Sequence, residues 1–249
     1  MSKVALVTGA ARGIGAQIAL RLAQDGFDIA VLDLNQDACV QTADSVRALG
    51  RSAIEVGVDI TDEQSVQDAV SLVCAQLGDP FLLVNNAGLM RSRMLHKMTL
   101  DDWEQVMAVN VRGSFLMCRA VAPFMREAKR GRIVNLSSTG ALGLLGSANY
   151  ASAKAAVQAL TKSLALELGP FNVTVNAVAP GFVVTEMTRA MAEKSGMSIE
   201  AMEAEMIKDI PLGRSGIPDD IAHAVAFFAD ERSSYVSGQI LYVAGGPQG

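Results

Sequence analysis

Cysteine, histidine and tryptophan are nearly missing from this chain: three, two and one among 249 residues. Cys39, Cys74 and Cys118 are odd in number and far apart, and no pair has metal-ligand spacing. That excludes a disulfide framework and gives no metal site, and buried free thiols in a reducing cytosol are the simplest account. His96 and His223 stand apart from any Ser/Asp pair in a hydrolase-like order, so each reads as a surface or packing residue. Excess positive charge is absent too. With 21 basic against 26 acidic residues the formal net charge is −5, which argues against nonspecific nucleic-acid binding. The one dense basic cluster, Lys129-Arg130-Gly131-Arg132, reads as a solvated loop. A charge-free run, 133–153, carries repeated Gly, Ser and Asn, so it reads as strand plus loop and not as a membrane span. Met1-Ser2-Lys3 runs straight into a strand candidate, so we expect no signal peptide and a soluble cytoplasmic protein.

What remains is aliphatic. Half the residues are hydrophobic but only 5% are aromatic, which favours a parallel sheet covered by helices, whose strands read as unbroken apolar runs. Strand candidates fall at 4–8, 29–33, 53–58, 81–85, 132–137, 173–179 and 240–243, with helical patterns between them. Ile14, Ile18 and Leu22 make one apolar helix face, and Gly26 stops that helix. Thr61 to Gln64 has capping-box spacing. The alternation predicts right-handed βαβ crossovers and a doubly wound, Rossmann-type α/β/α sandwich of about seven strands. Without a linker or repeat, residues 1–249 read as one domain. The Met-, Glu- and Ala-rich stretch 186–210 reads as one or two amphipathic helices, a candidate lid. Its methionines (Met187, Met191, Met202, Met206) read as core filler. Trp103 reads as the anchor of the helix that follows Thr99-Leu100-Asp101.

Two motifs carry chemistry. Thr8-Gly9-Ala10-Ala11-Arg12-Gly13-Ile14-Gly15 follows the first strand and opens the first helix, where glycines let the backbone approach a diphosphate and a helix N-terminus supplies N–H donors. The spacing is Gly-x3-Gly-x-Gly and not the usual dinucleotide fingerprint. Asp33 ends the second strand, where a carboxylate accepts from the ribose hydroxyls of NAD and repels the 2′-phosphate of NADP. Arg12 argues for NADP, and Asp33 is weighed more heavily because it sits where the ribose should lie. Asp59 and Ile60 close the third strand near an adenine, although Asp59 could equally order the turn before a helix cap. Asn86, Ala87 and Gly88 permit close approach of a ligand at the fourth strand's carboxyl end. The second motif is Tyr150-Ala151-Ser152-Ala153-Lys154: residues four apart share a helix face, and a cation beside a phenol favours the phenolate needed for proton exchange.

Together with Asn110 in Val109-Asn110-Val111, Ser138 and Pro180-Gly181, these elements resemble the short-chain dehydrogenase/reductase family over essentially the whole chain. The resemblance is strongest to the 3-oxoacyl-carrier-protein reductase branch, in Pro211-Leu212-Gly213-Arg214 and in Val243-Ala244-Gly245-Gly246. It implies a general acid/base at Tyr150 and a Lys154 that lowers its pKa and holds the nicotinamide ribose. It implies a Ser138 that bonds the reacting oxygen and an Asn110 that holds a relay water at a helix distortion. Pro180, Gly181, Val183 and Thr185 would contact the nicotinamide. It also implies a homotetramer built through 103–125 and 151–168, segments that could instead simply pack on the sheet.

Four departures qualify the resemblance. Counting from Tyr150 selects Ser137 and counting along the strand selects Ser138, the preferred candidate. Ala244 replaces the usual acid before the terminal Gly-Gly. Phe171 stands where carrier-protein reductases often have arginine, and the lid is longer. The last two favour a small free alcohol or ketone (an alcohol, polyol, sugar or hydroxy acid) oxidised or reduced with NAD. The alternatives are an NADPH-dependent 3-oxoacyl-carrier-protein reductase and a non-catalytic nucleotide-binding regulator. No metal and no nucleic-acid or membrane partner is expected.

Overall fold

Seven aliphatic runs become seven parallel strands: β1 (Lys3–Thr8), β2 (Phe27–Asp33), β3 (Ala53–Gly57), β4 (Pro80–Asn85), β5 (Gly131–Leu136), β6 (Val173–Pro180) and β7 (Ile240–Val243). Each lies within two residues of its expected bounds. The computed structural model describes residues 3–247; Met1 and Ser2, read above as leading into β1, lie outside them, as do Gln248 and Gly249. The strands pair in the order β3-β2-β1-β4-β5-β6-β7, every pair parallel. Helices α1 (Gly13–Gln24), α2 (Val40–Ala48), α3 (Glu63–Leu77), α4 (Leu100–Met107), α5 (Ser114–Ala128), α6 (Ala148–Leu168), α7 (Glu186–Lys194), α8 (Ile199–Met206) and α9 (Pro218–Ala229) connect them.

Strand side chains alternate between faces, so the sheet carries two cores. Ala5, Val7, Ile29 and Val31 pack with Ile18 and Leu22 of α1, Val46 of α2, and Ile221 and Val225 of α9. Val4, Leu6, Leu32, Leu83 and Ile133 pack with Val66 and Val70 of α3 and with Leu116, Met117 and Val121 of α5. Burying each such side chain contributes about 1.5–3 kcal/mol. This makes a three-layer α/β/α sandwich. The strand order reverses direction between β1 and β4, so the carboxyl ends of those strands open a crevice, the expected ligand position in such sheets.

Several expectations are corrected. Asp62, not Thr61, caps α3, its carboxylate accepting the Ser65 amide at 2.7 Å; Thr61 instead donates from its backbone and its hydroxyl to Asp59 at 2.8 and 2.7 Å. The basic cluster is not wholly solvated. Arg132 lies inside β5, buried, its guanidinium 5.7 Å from the Phe81 ring centroid, and burial pushes its pKa below the usual value. The 186–210 stretch forms two helices, α7 and α8. None of the four methionines named above is buried: Met187 and Met206 are exposed and Met191 and Met202 half-buried, so none is core filler. Cys39, Cys74 and Cys118 are free thiols; burial raises Cys39 to about 11 and Cys118 to about 12, which leaves both inert. His223 Nδ1 lies 2.8 Å from Arg21 Nη1, and His96 is exposed in the loop after β4.

Candidate active site

The glycine turn is held from the far side of the crevice. Asn86 donates its side-chain amide to the Thr8 and Gly9 carbonyls at 2.9 and 3.0 Å. The Thr8 hydroxyl accepts the Asn86 and Ala87 amides, both at 3.0 Å. Sequence reasoning assigned Asn86 to the ligand and passed over Thr8; only the pairing of β1 with β4 reveals them as one clasp. The three glycines then separate by role. A Cβ on Gly9 would lie 2.8 Å from the Ala87 Cα, and one on Gly15 would lie 2.2 Å from the Gly9 carbonyl oxygen, so both serve packing. Gly13, at φ +59°, faces open space at the start of α1. No side chain caps that helix, whose Ncap is Arg12. Such a helix start offers its first N–H donors and the positive end of the helix dipole to an anion.

Around this turn, Asp33 accepts the Ala11 amide at 3.1 Å through one oxygen and the Leu34 amide at 2.8 Å through the other. It therefore faces the turn while half-exposed. Ile14 is partly buried against the first core. Asp59 is exposed and occupied in ordering its own turn, and Ile60 is buried against Gly113. At the other end of the crevice, Gly181 donates to the Val243 carbonyl at 3.0 Å. A Cβ on Gly181 would lie 2.8 Å from that of Ala244, so the alanine that replaces the usual acid fills this contact. Pro180 ends β6, Val183 is buried, and Thr185 caps α7.

Tyr150 and Lys154 sit one turn apart on α6, with Lys154 Nζ 5.6 Å from the phenol ring centroid. Lys154 is buried and donates to the Leu136 carbonyl at 2.8 Å. Burial lowers its pKa from 10.5 to about 8. Burial also pushes the Tyr150 phenol above its ordinary value, and only a hydrogen bond with Ser138 works against it. Desolvation of the phenol thus outweighs the expected influence of Lys154. The two serine candidates separate cleanly. Ser138 lies beside Tyr150, its hydroxyl accepting the Gly140 amide at 3.0 Å. Ser137 is buried, donates to the Lys154 carbonyl at 3.0 Å and accepts from Gln158 at 3.1 Å.

Asn110 lies in a π-helical segment, Ala108–Gly113, between α4 and α5, and such bulges recur at functional sites. Its side-chain amide donates to the Leu89 and Val106 carbonyls at 2.8 and 2.9 Å. Its buried Oδ1 has no hydrogen-bond partner among the described residues. Gly88 faces this oxygen and the lysine together, for a Cβ there would lie 3.0 Å from Asn110 Oδ1 and 3.5 Å from Lys154 Nζ. A buried oxygen without a donor is costly.

Asn149 was missed in the sequence. Fully buried, it donates to the Arg91 and Asp102 carbonyls at 3.1 and 3.0 Å and accepts the Tyr150 amide at 2.8 Å. It ties the start of α6 to α4 and to the loop after β4, and so positions Tyr150. Its place immediately before the tyrosine was the only available signal. Trp103 is partly buried within α4, whose cap is a reciprocal pair between Thr99 and Asp102. Among the described residues no cluster of three His, Cys, Asp or Glu could hold a metal, and no helix is long and apolar enough to cross a membrane.

A Rossmann-type sheet with an open glycine turn, and a Tyr/Lys pair at the strands' carboxyl edge, defines an oxidoreductase that acts on carbonyl or alcohol groups. A family model described as enoyl-(acyl carrier protein) reductase matches residues 9–248. Short-chain reductase protein NovJ of Streptomyces niveus is 42% identical over 243 residues, covering 98% of this chain and 93% of that one. The 3-oxoacyl-[acyl-carrier-protein] reductase FabG of Staphylococcus aureus is 40% identical over 248 residues, covering 99% and 98%. A crystal structure of NAD+-bound xylitol dehydrogenase superposes with a TM-score of 0.92 at 36% identity, covering 98% of both chains. The chain belongs to the short-chain dehydrogenase/reductase family, whose members bind a nicotinamide dinucleotide, NAD or NADP.

Proposed function

We propose that this enzyme is an NAD-dependent dehydrogenase or ketoreductase for secondary alcohols and ketones, with residues 186–210 acting as a substrate lid. The observation that carries the reading is the convergence of Tyr150, Ser138 and Lys154 at the sheet edge, on the same crevice as the open turn at Gly13. Gly9, Gly13, Ile14 and Gly15 would hold the diphosphate, Arg12 would stand beside the adenosine ribose, which Asp33 would bind, and Asp59 and Ile60 would meet the adenine. Asn86, Ala87 and Gly88 would line the floor, with Pro180, Gly181, Val183 and Thr185 beside the nicotinamide. Support for NAD comes from the Asp33 carboxylate, which already accepts the Ala11 amide of the turn and would repel a 2′-phosphate.

A bound nicotinamide supplies or takes up the hydride at the carbinol carbon. The protein handles the proton. Ser138 and Tyr150 donate hydrogen bonds to the carbonyl oxygen, stabilising the charge that builds there. Burial keeps the phenol protonated at neutral pH, so Tyr150 is set to give its proton to the forming alkoxide. The reverse reaction needs the phenolate, which a protonated Lys154 favours. Asn110 Oδ1, without a donor of its own, would accept from a water that replenishes the proton.

The substrate reading rests on the rim. Leu142, Leu144, Leu145, Met94 and Met187 are exposed on the loop between Ser138 and Tyr150, the loop after β4, and the lid. This suits an alcohol or ketone with an apolar flank. Phe115 on α5 and Leu166 on α6, 42% and 81% exposed, would be covered in a homotetramer. The decisive experiment is Tyr150→Phe. Turnover should fall about 10²–10⁴-fold, the range for losing a general acid/base, with NADH binding retained. Near-wild-type turnover, or NADH binding without turnover on any alcohol or ketone in a broad panel, would overturn the proposal.

A second reading is the NADPH-dependent reduction of a carrier-bound 3-oxoacyl chain. One observation favours it. The Arg126 guanidinium lies 4.4 Å from the Phe171 ring centroid, so a cation stays at the position where Phe171 departs from the carrier-protein reductases. Steady-state assays with an acetoacetyl thioester and both dinucleotides separate the readings.

A further inference from the structure

The geometry points to Glu186 as a residue that sets dinucleotide preference by withholding Arg12. This inference rests on the dinucleotide reading of the glycine turn. Arg12 is the Ncap of α1 and stands beside Gly13, the one glycine of the turn that faces open space. Its neighbour Ala11 donates its amide to Asp33 at 3.1 Å. A ribose bound at Asp33 therefore lies one residue from Arg12, and a phosphate on its 2′-oxygen would meet the Asp33 carboxylate, with the Arg12 guanidinium a cation on the same turn able to neutralise it. Arg12 is not free to do so. Its Nη1 is 2.6 Å from Oε2 of Glu186, the first residue of α7. The carboxylate is itself favoured there by the N-terminal end of that helix dipole.

The pair spans from the turn to the lid, so one interaction has two consequences. It draws the first turn of α7 toward the diphosphate position, and it removes the cation that a 2′-phosphate needs. Asp33 then acts by repulsion and Glu186 by sequestration, and both disfavour NADP. The two side chains are 75% and 62% exposed. Such an exposed pair is worth about 0.2–1 kcal/mol and is screened by salt, so the expected effect is small but measurable.

The test is equilibrium binding of NADH and NADPH, followed by cofactor fluorescence, to wild type, Glu186→Gln, Arg12→Ala and the double variant. In Glu186→Gln the affinity ratio of NADPH to NADH should rise about 1.4- to fivefold, the equivalent of the exposed pair's energy. In the Arg12→Ala background the same change should leave the ratio where it was. The effect should also shrink at high salt. An unmoved ratio in Glu186→Gln, or an equal rise with Arg12 already removed, would overturn the inference, the latter by showing that Glu186 acts through its own charge. Wild type that binds neither dinucleotide would overturn the proposed function along with it, whereas binding with an unmoved ratio overturns only the role of Glu186.

Discussion

Lys154 carries a cost that its proposed role explains, and that cost can be measured. The ammonium is buried and, among the described residues, donates to one group, the Leu136 carbonyl at 2.8 Å. Its pKa falls from 10.5 to about 8. At about 1.36 kcal/mol per unit, the charged form destabilises the folded chain by about 3 kcal/mol. The sign follows from proton counts. Below about pH 8 both folded and unfolded chains hold the proton, and the whole penalty is present. Between about 8 and 10.5 the unfolded chain holds more protons, so stability rises with pH; above 10.5 the penalty is gone. Lys154→Met keeps the apolar stem and removes the charge, losing one hydrogen bond worth about 1 kcal/mol. We expect the variant to be more stable than wild type by about 2 kcal/mol at pH 7, with the advantage vanishing near pH 10. Urea unfolding of both proteins from pH 6 to 10 measures it. A variant no more stable at pH 7, or a difference that does not change with pH, would refute the reasoning. Turnover in the same variant should fall at least about 100-fold, because a stability gain bought by deleting a strained functional group is paid in activity.

Three further outcomes are expected. Gly15→Ala forces a Cβ to within 2.2 Å of the Gly9 carbonyl oxygen, so the turn must open; dinucleotide binding measured by fluorescence titration should weaken by at least about fivefold, the scale of a 1–3 kcal/mol overpacking strain. Ser138→Ala should lower kcat by about 10²–10³, as for loss of one oxyanion donor, whereas Ser137→Ala should cost about 1–3 kcal/mol of stability with kcat little changed; a larger kcat loss at Ser137 would reverse their assignment. Asp33→Asn keeps an acceptor for the Ala11 amide but removes the charge, so NADPH affinity should rise relative to NADH by about tenfold, the equivalent of roughly 1.4 kcal/mol.

Strand positions were legible because apolar runs such as Ala5–Val7 and Leu82–Val84 are buried on both faces, and local composition is what burial selects. The glycine turn and the Tyr150/Lys154 pair were legible because short-range spacing places them. Roles that depend on distant partners were not. The cap of α3 passed from Thr61 to Asp62 because side chains in a tight turn compete, and Asp59 had already taken both Thr61 donors. Arg132 left the solvated cluster because β5 begins one residue before it.

Residue order alone thus determined the doubly wound sheet, the location of the crevice and the placing of Tyr150 and Lys154 on one helix face, since these follow from periodicity and from residues a few positions apart. Tertiary packing alone decided the rest: that Ser138 and not Ser137 faces the phenol, that Asn149 fixes the start of α6, and that Arg12 is held by a carboxylate 174 positions away. Hydrogen bonds and ion pairs act over about 3 Å. Which groups come that close is set by how the layers pack, a quantity no local pattern encodes.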